Sequence, residues 1–146
     1  MANIQGHEFP DDLYHHADHA WVRIEPDGLA AIGMNAFFTK EAGDIVYVDL
    51  PFEGDQISAG EVCGKLQSAK WIGKLIAPIS GEIAAVNERL ESDSSLINQS
   101  PYGDGWIIRV RPSDWESEKD ALMHGVEAIT PWLEKEIARA EAEKKQ

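Results

Sequence analysis

Between Trp21 and Val110 the chain is a succession of short β-type runs, each cut off by glycine, proline or a polar turn former. Trp21–Ile24 and Leu29–Ile32 flank Pro26-Asp27-Gly28, a turn signal between two strands. Ile45–Leu50 is strongly β-branched, and Pro51 stops it. Val62–Leu66, Trp71–Ala77, Glu82–Val86 and Ile107–Val110 complete the series, with turns at Gly54-Asp55, Ala59-Gly60, Pro78 and Gly81. Many short strands at this spacing predict a mainly β barrel or sandwich. One helix interrupts them: Asn35 can cap its start, and Gly43 can end it in a left-handed conformation. After residue 112 the pattern turns helical. Ser113-x-x-Glu116 reads as a capping box, and Thr130-Pro131 as a cap followed by proline at the first helical position. Residues 1–112 are therefore expected to form the main domain. Residues 113–146 form a C-terminal helical extension that packs on it or trails from it, its end a solvated helix or a frayed tail.

The chain has 146 residues, 43% of them apolar, enough for one globular core. No apolar run reaches the roughly 20 residues a membrane span requires. Met1–Pro10 lacks a basic patch leading into an apolar stretch, so no secretory signal is expected, and the cytoplasm is the expected location. The formal net charge of -13 opposes binding to nucleic acid and suits basic docking surfaces. With Cys63 alone, the chain can form no internal disulfide and no cysteine-based zinc site.

The segment Gly64-Lys65-Leu66-Gln67-Ser68-Ala69-Lys70-Trp71-Ile72-Gly73-Lys74-Leu75 places a polar centre between two strand-like runs. It predicts a hairpin with Lys70 at the tip, its amine held outward on a long stem. Such an amine is protonated and no nucleophile, but an enzyme can acylate it, removing the charge and adding an arm. An exposed lysine in a turn is by itself ordinary.

The motifs around it are less ordinary. His19-Ala20-Trp21-Val22, Gly43-Asp44-Ile45-Val46-Tyr47-Val48-Asp49-Leu50-Pro51, Ser68-x-Lys70, Ala77-Pro78-Ile79-Ser80-Gly81-Glu82-Ile83 with Asn87 after it, and Ile97-Asn98-x-x-Pro101-Tyr102-x-x-Gly105-Trp106 follow in order. Over roughly residues 13–112 the chain resembles the H-protein family of the glycine cleavage system. The resemblance implies a barrel-sandwich hybrid fold and a non-enzymatic carrier. It further implies lipoate amide-linked to Lys70, with Ser68 and Trp71 as contacts of the arm. Implied partners are a lipoate ligase or lipoyl transferase, dihydrolipoamide dehydrogenase, and the glycine cleavage P and T proteins. The redox chemistry would belong to the lipoyl dithiol, the protein supplying presentation and docking.

Some positions depart from the family pattern. Ala20 and Gln67 stand where a glutamate is usual, Phe38-Thr39 replaces an Ala-Gln pair, and Trp71-Ile72-Gly73-Lys74 follows the lysine. Loss of two carboxylates near a carried amine, and an indole suited to an apolar, polarisable arm, point to an alternative. In that alternative the chain is a lipoate-binding protein of bacterial sulfur oxidation, working with a heterodisulfide-reductase-like complex. A further alternative is an unlipoylated H-like adaptor.

Other candidate sites are weaker. His15, His16, Asp18 and His19 cluster in sequence, but adjacent strand residues face opposite ways, so no metal site is expected. Cys63 lies in an apolar strand and reads as a small core residue. Ser68 has no His/Asp partners in view, no acid–base pair emerges, and no nucleotide-binding motif is present, so no catalytic residue is assigned. Gly81, Gly103 and Gly105 are expected at tight turns, and Trp106 in the core with an acceptor for its indole N–H.

Overall fold

The computed structural model describes residues 2–4, 6–10, 12–69 and 72–144. In chain order the strands are β1 (Ala2–Ile4), β2 (His7–Phe9), β3 (Tyr14–His15), β4 (Ala20–Ile24), β5 (Ala30–Met34), β6 (Ile45–Asp49), β7 (Gln56–Ile57), β8 (Val62–Ser68), β9 (Ile72–Ile76), β10 (Gly81–Val86), β11 (Ile108–Pro112) and β12 (Met123–His124). The helices are α1 (Ala36–Ala42), α2 (Arg89–Ser92), α3 (Leu96–Gln99), α4 (Trp115–Glu118) and α5 (Val126–Lys144). All pairings are antiparallel. A seven-stranded sheet runs β12-β3-β4-β5-β11-β10-β7, a three-stranded sheet runs β6-β8-β9, and β1-β2 is a separate hairpin. The fold is mainly β, with the expected barrel-sandwich hybrid architecture.

Both larger sheets contribute to one core. Ile32, Val110, Ile83 and Ile108 come from the seven-stranded sheet, and Val48, Leu66 and Leu75 from the three-stranded one. Strand β5, Ala-Ala-Ile-Gly-Met, is buried along its whole length between β4 and β11. Its small residues leave room for Trp21: a Cβ on Gly33 would lie 2.6 Å from Trp21 Cζ2. The buried indole N–H donates to the Pro101 carbonyl at 2.9 Å, tying β4 to the turn after α3. Trp106 is only partly buried, with Arg109 Cζ 4.2 Å from its ring centroid. Trp21 is thus the indole that fills the core. Gly81 also differs from expectation. It opens β10, where a Cβ would sit 2.6 Å from Val110 Cγ1, so close strand approach rather than a turn requires glycine. Gly103 and Gly105 do lie in the turn before Trp106.

Asn35 caps α1 as expected, accepting the Phe38 N–H at 2.8 Å. Gly43 closes the helix at φ 79, but with ψ -168 it is outside the left-handed helical region. Neither expected cap in the last third forms as the sequence suggests. Helix α4 is a single turn preceded by Asp114, and no side chain caps it. The nearby carboxylate of Glu118 instead accepts from both Ser80 N, at 2.7 Å, and Ser80 Oγ, at 2.6 Å. Helix α5 starts four residues before Thr130, after Gly125 at φ 90. Burial of Ile129 and Leu133 against Ile4, Phe9 and Phe37 extends the helix back through that point. Thr130 Oγ1 donates to the Val126 carbonyl at 2.7 Å, and Pro131 lies inside the helix.

Pro131 supplies no N–H for the Glu127 carbonyl and crowds the preceding turn. Pro131→Ala should therefore raise stability by about 1–2 kcal/mol, less than the full interior penalty because proline also restricts the unfolded chain. The urea midpoint measures it; an unchanged or lower midpoint contradicts the helix placement.

Candidate functional site

The candidate carrier face is built by β6, β8 and β9. Residues alternate along each strand, so Leu66 and Leu75 point into the core while Gln67, Ile72, Lys65 and Lys74 face outward. Across β8 and β9 the register pairs Lys65 with Lys74 and Gln67 with Ile72. Among the described residues, Gln67↔Ile72 is the last pair before the 69–71 connection. Lys70 and Trp71 lie outside the described residues. Ser68 is buried at the end of β8, opposite Ile45 of β6, while Ala69 is exposed.

Asn98 braces the neighbouring strand end. Its Oδ1 accepts the Ile45 N–H at 2.8 Å, and its Nδ2 donates to the carbonyls of Gly43, at 2.8 Å, and Thr39, at 3.2 Å. The amide thus joins the end of α1, the start of β6 and α3. Its place in the Ile-Asn-x-x-Pro-Tyr motif was legible, but its three partners come from segments far away in sequence. Beside this brace lies a cleft of about 580 Å³, walled by Asn3 and His7 from the N-terminal hairpin and by Thr39, Lys40, Asp44 and Asn98. Burial, with Lys40 nearby, lowers the His7 pKa despite the opposing field of Glu41. The carboxylate on this cleft is that of Asp44, whereas Ala20 is fully buried in β4 and Gln67 is neutral and exposed.

The sequence resemblance implies lipoate as an amide on a lysine, and the described residues fit such a group. Exposed Gln67, Ala69 and Ile72 leave the end of the β8–β9 pair open to a modifying enzyme. A second groove of about 400 Å³ lies at the far end of β8, between the Asp49–Ile57 turn and Val62–Lys65. Cys63 borders it, and burial pushes its thiol pKa up to about 11.

The histidine cluster does not converge. His15 is fully buried, and neither ring nitrogen has a hydrogen-bond partner among the described residues. His16 turns toward Asp18, and His19 toward Glu136. No group of three or more potential ligands occurs among the described residues.

Comparison with known proteins decides the family. The glycine cleavage H-protein family model matches residues 13–136. The chain belongs to the glycine cleavage H-protein family. It is 45% identical over 131 residues to the glycine cleavage system H protein of Shewanella baltica, covering 88% of this chain and 97% of that one. The Shewanella frigidimarina H protein is 46% identical over 114 residues, covering 78% and 88%. A crystal structure of a glycine cleavage system H protein from Mycobacterium marinum superposes with a TM-score of 0.69 at 40% identity, covering 72% of this chain and 87% of that one. Members of the H-protein family are lipoyl carriers of the glycine cleavage system, not enzymes. Membership implies the P, T and L proteins as partners. The family finding favours glycine cleavage over the sulfur-oxidation alternative. No described helix is long and apolar enough to cross a membrane.

Two predictions follow from the titrating groups. A thiol held near 11 is protonated at neutral pH and is a poor attacking group. Cys63→Ala should leave reoxidation of the reduced arm by the L protein unchanged, and loss of that reoxidation with the fold intact would show a role for the thiol. His15 and His19 both have pKa values lowered to about 4, first by burial. Between their unfolded value near 6.5 and their folded value near 4, the unfolded chain binds more protons. Their contribution to stability is full above that window and is lost as pH falls through it. Urea unfolding at a series of pH values should show this loss, with a shallower slope in His15→Leu. Stability independent of pH across the window would contradict the buried neutral state.

Proposed function

We propose that Lys70 is the lipoyl attachment site and that the β8–β9 hairpin presents the arm to each partner in turn. The observation that supports the reading is the register running out to Gln67↔Ile72 among the described residues, beyond which Ser68-x-Lys70 matches the family's modified lysine. Lys65 and Lys74 face one another within the paired strands, whereas Lys70 belongs to the connection between them. When attached, the lipoyl group supplies the dithiol chemistry that moves the aminomethyl intermediate and electrons. The chain's own residues hold the hairpin, leave its end accessible and offer surfaces to the partners. Ser68 and Trp71 are proposed as contacts of the arm.

The finer partners are a lipoate ligase or lipoyl transferase that loads Lys70 and dihydrolipoamide dehydrogenase, which reoxidises the arm. A cytoplasmic location suits these partners, and neither nucleic acid nor membrane insertion enters the function. Residues 1–112 are proposed as the carrier domain proper, with 113–146 as its helical extension.

Intact-mass measurement after incubation with a competent ligase tests the assignment. Wild type, Lys65→Arg and Lys74→Arg should each gain one lipoyl group, and Lys70→Arg none, because a guanidinium is not acylated. Lipoyl mass on Lys70→Arg would refute the site. A wild-type protein that takes up no lipoate would favour the unlipoylated adaptor.

A further inference from the structure

Among the described residues, helix α5 meets the rest of the chain through an apolar contact, a hydrogen bond from Trp132 Nε1 to the Ala17 carbonyl at 3.3 Å, and a polar chain. The apolar part is Ile129 and Leu133 against Ile4, Phe9 and Phe37. The polar part runs through His19. Its Nε2 lies 2.9 Å from Glu136 Oε1, which also accepts from Arg139 Nη2 at 2.7 Å. Its Nδ1 lies 3.3 Å from Asn35 Nδ2.

The cap of α1 fixes the direction of these bonds. Asn35 Oδ1 accepts the Phe38 N–H, so the Asn35 amide turns its NH2 toward His19. Nδ1 of His19 is then an acceptor, and Nε2 carries the ring proton and donates it to Glu136. Only the neutral imidazole with its proton on Nε2 satisfies both neighbours. A second ring proton would set N–H against NH2. The backbone supports the same conclusion. His19 is the one non-glycine residue with positive φ among those described, at 77, a conformation that persists only where surroundings over-determine it. The Asn35 N–H donates to its carbonyl at 2.9 Å, and Phe37, Phe38 and Trp132 pack around its ring.

Beyond α1 the chain of contacts continues to the carrier face. The Thr39 and Gly43 carbonyls accept from Asn98, Asn98 accepts the Ile45 N–H, and Ile45 pairs with Ser68. We propose that His19 is a positioning residue of the carrier face: as a neutral imidazole bonded on both sides, it fastens the C-terminal helix to the cap of α1 and, through Asn98, steadies the strand ends that hold the 69–71 connection. The proposal rests on the lipoyl-carrier reading for what that connection bears.

Among the described residues, the charged and titratable groups against the ring are Asp18 and His16 from its own turn and Glu136 and Arg139 from α5, while α1 packs Phe37 and Phe38 against it. Burial lowers the His19 pKa to about 4, with Arg139 and His16 adding to the effect and Asp18 opposing it.

The test uses the full-length protein without lipoate at neutral pH. Imidazole 15N spectra should show His19 neutral with its proton on Nε2. Asn35→Asp keeps a capping oxygen for Phe38 but presents a carboxylate oxygen to Nδ1. In that variant the His19 titration midpoint should rise from about 4 toward its usual value. His19→Gln keeps one donor and one acceptor and cannot titrate, whereas His19→Ala keeps neither. The alanine variant should exchange its Phe38 and Ile45 amides about tenfold faster, and the glutamine variant within about threefold of wild type. Ligase-catalysed lipoylation should follow the same order. An imidazolium or an Nδ1–H tautomer in the wild type would overturn the proposal. So would an unmoved midpoint in Asn35→Asp, or faster exchange at Phe38 with none at Ile45. Absence of lipoyl mass on the wild type would instead sink the carrier reading and leave the exchange results standing.

Discussion

Leu66 and Leu75 are each about 1% exposed, and their burial sets the register of the strand pair that leads to the 69–71 connection. Side chains alternate with period two, so a slip of one residue would turn both leucines to water and bring Lys65, Gln67 and Lys74 inside. Burying three polar or charged side chains without partners costs far more than any local preference for another register. The pair Gln67↔Ile72 therefore falls where it does because of core packing by Leu66, one row away, and Leu75, three rows away. The position of the connection is fixed by apolar residues that have no chemical role.

Register alone would leave the three-stranded sheet free to shift against the rest of the fold. Asn98 prevents that with one side chain, by joining the carbonyls that end α1 to the first amide of β6. Asn87 does comparable work on the other sheet, donating to the Asp104 and Trp106 carbonyls at 2.8 and 2.7 Å. Both asparagines sit in segments that resemble the family's motifs, and both complete backbone hydrogen bonds that neither sheet can make by itself. The motifs thus mark joints between elements more than groups that touch a substrate.

The long strands were legible because their apolar residues alternate between turn formers, and so was α1 because Asn35 caps it through its own side chain. The two-residue strands β3, β7 and β12 were not, since pieces that short carry no period and form only where a neighbour offers an edge. The β1–β2 hairpin escaped for the same reason, being held by Phe9 and Ile4 against α5. Thr130-Pro131 misled because its local signal is that of a helix start, while burial of Ile129 pulls the helix earlier. Ser113-x-x-Glu116 failed because Glu118 bonds Ser80 across the fold and Asp114 takes the cap position. Within the candidate site, Asn98 was legible as part of its motif, but the cleft beside it was not. That cleft depends on Asn3 and His7 meeting Lys40 and Asp44 from a different part of the sequence.

A protein that presents a dithiol must not compete with it. Any accessible thiolate of its own could attack the oxidised arm or take up the carried group in a mixed disulfide. Cys63 sits near the start of β8, the strand that runs to the 69–71 connection. Burial keeps its thiol near 11, so at neutral pH only about one molecule in ten thousand carries the thiolate, by the difference between pKa and pH. An aliphatic side chain would avoid the risk altogether, but β8 passes close to β6 here. A Cβ on the next residue, Gly64, would lie 2.9 Å from the Asp49 carbonyl oxygen. A small, partly buried residue suits that crowded stretch, and cysteine fills it with weak hydrogen-bonding demands. The same burial that packs the strand end thus leaves the redox chemistry to the attached group.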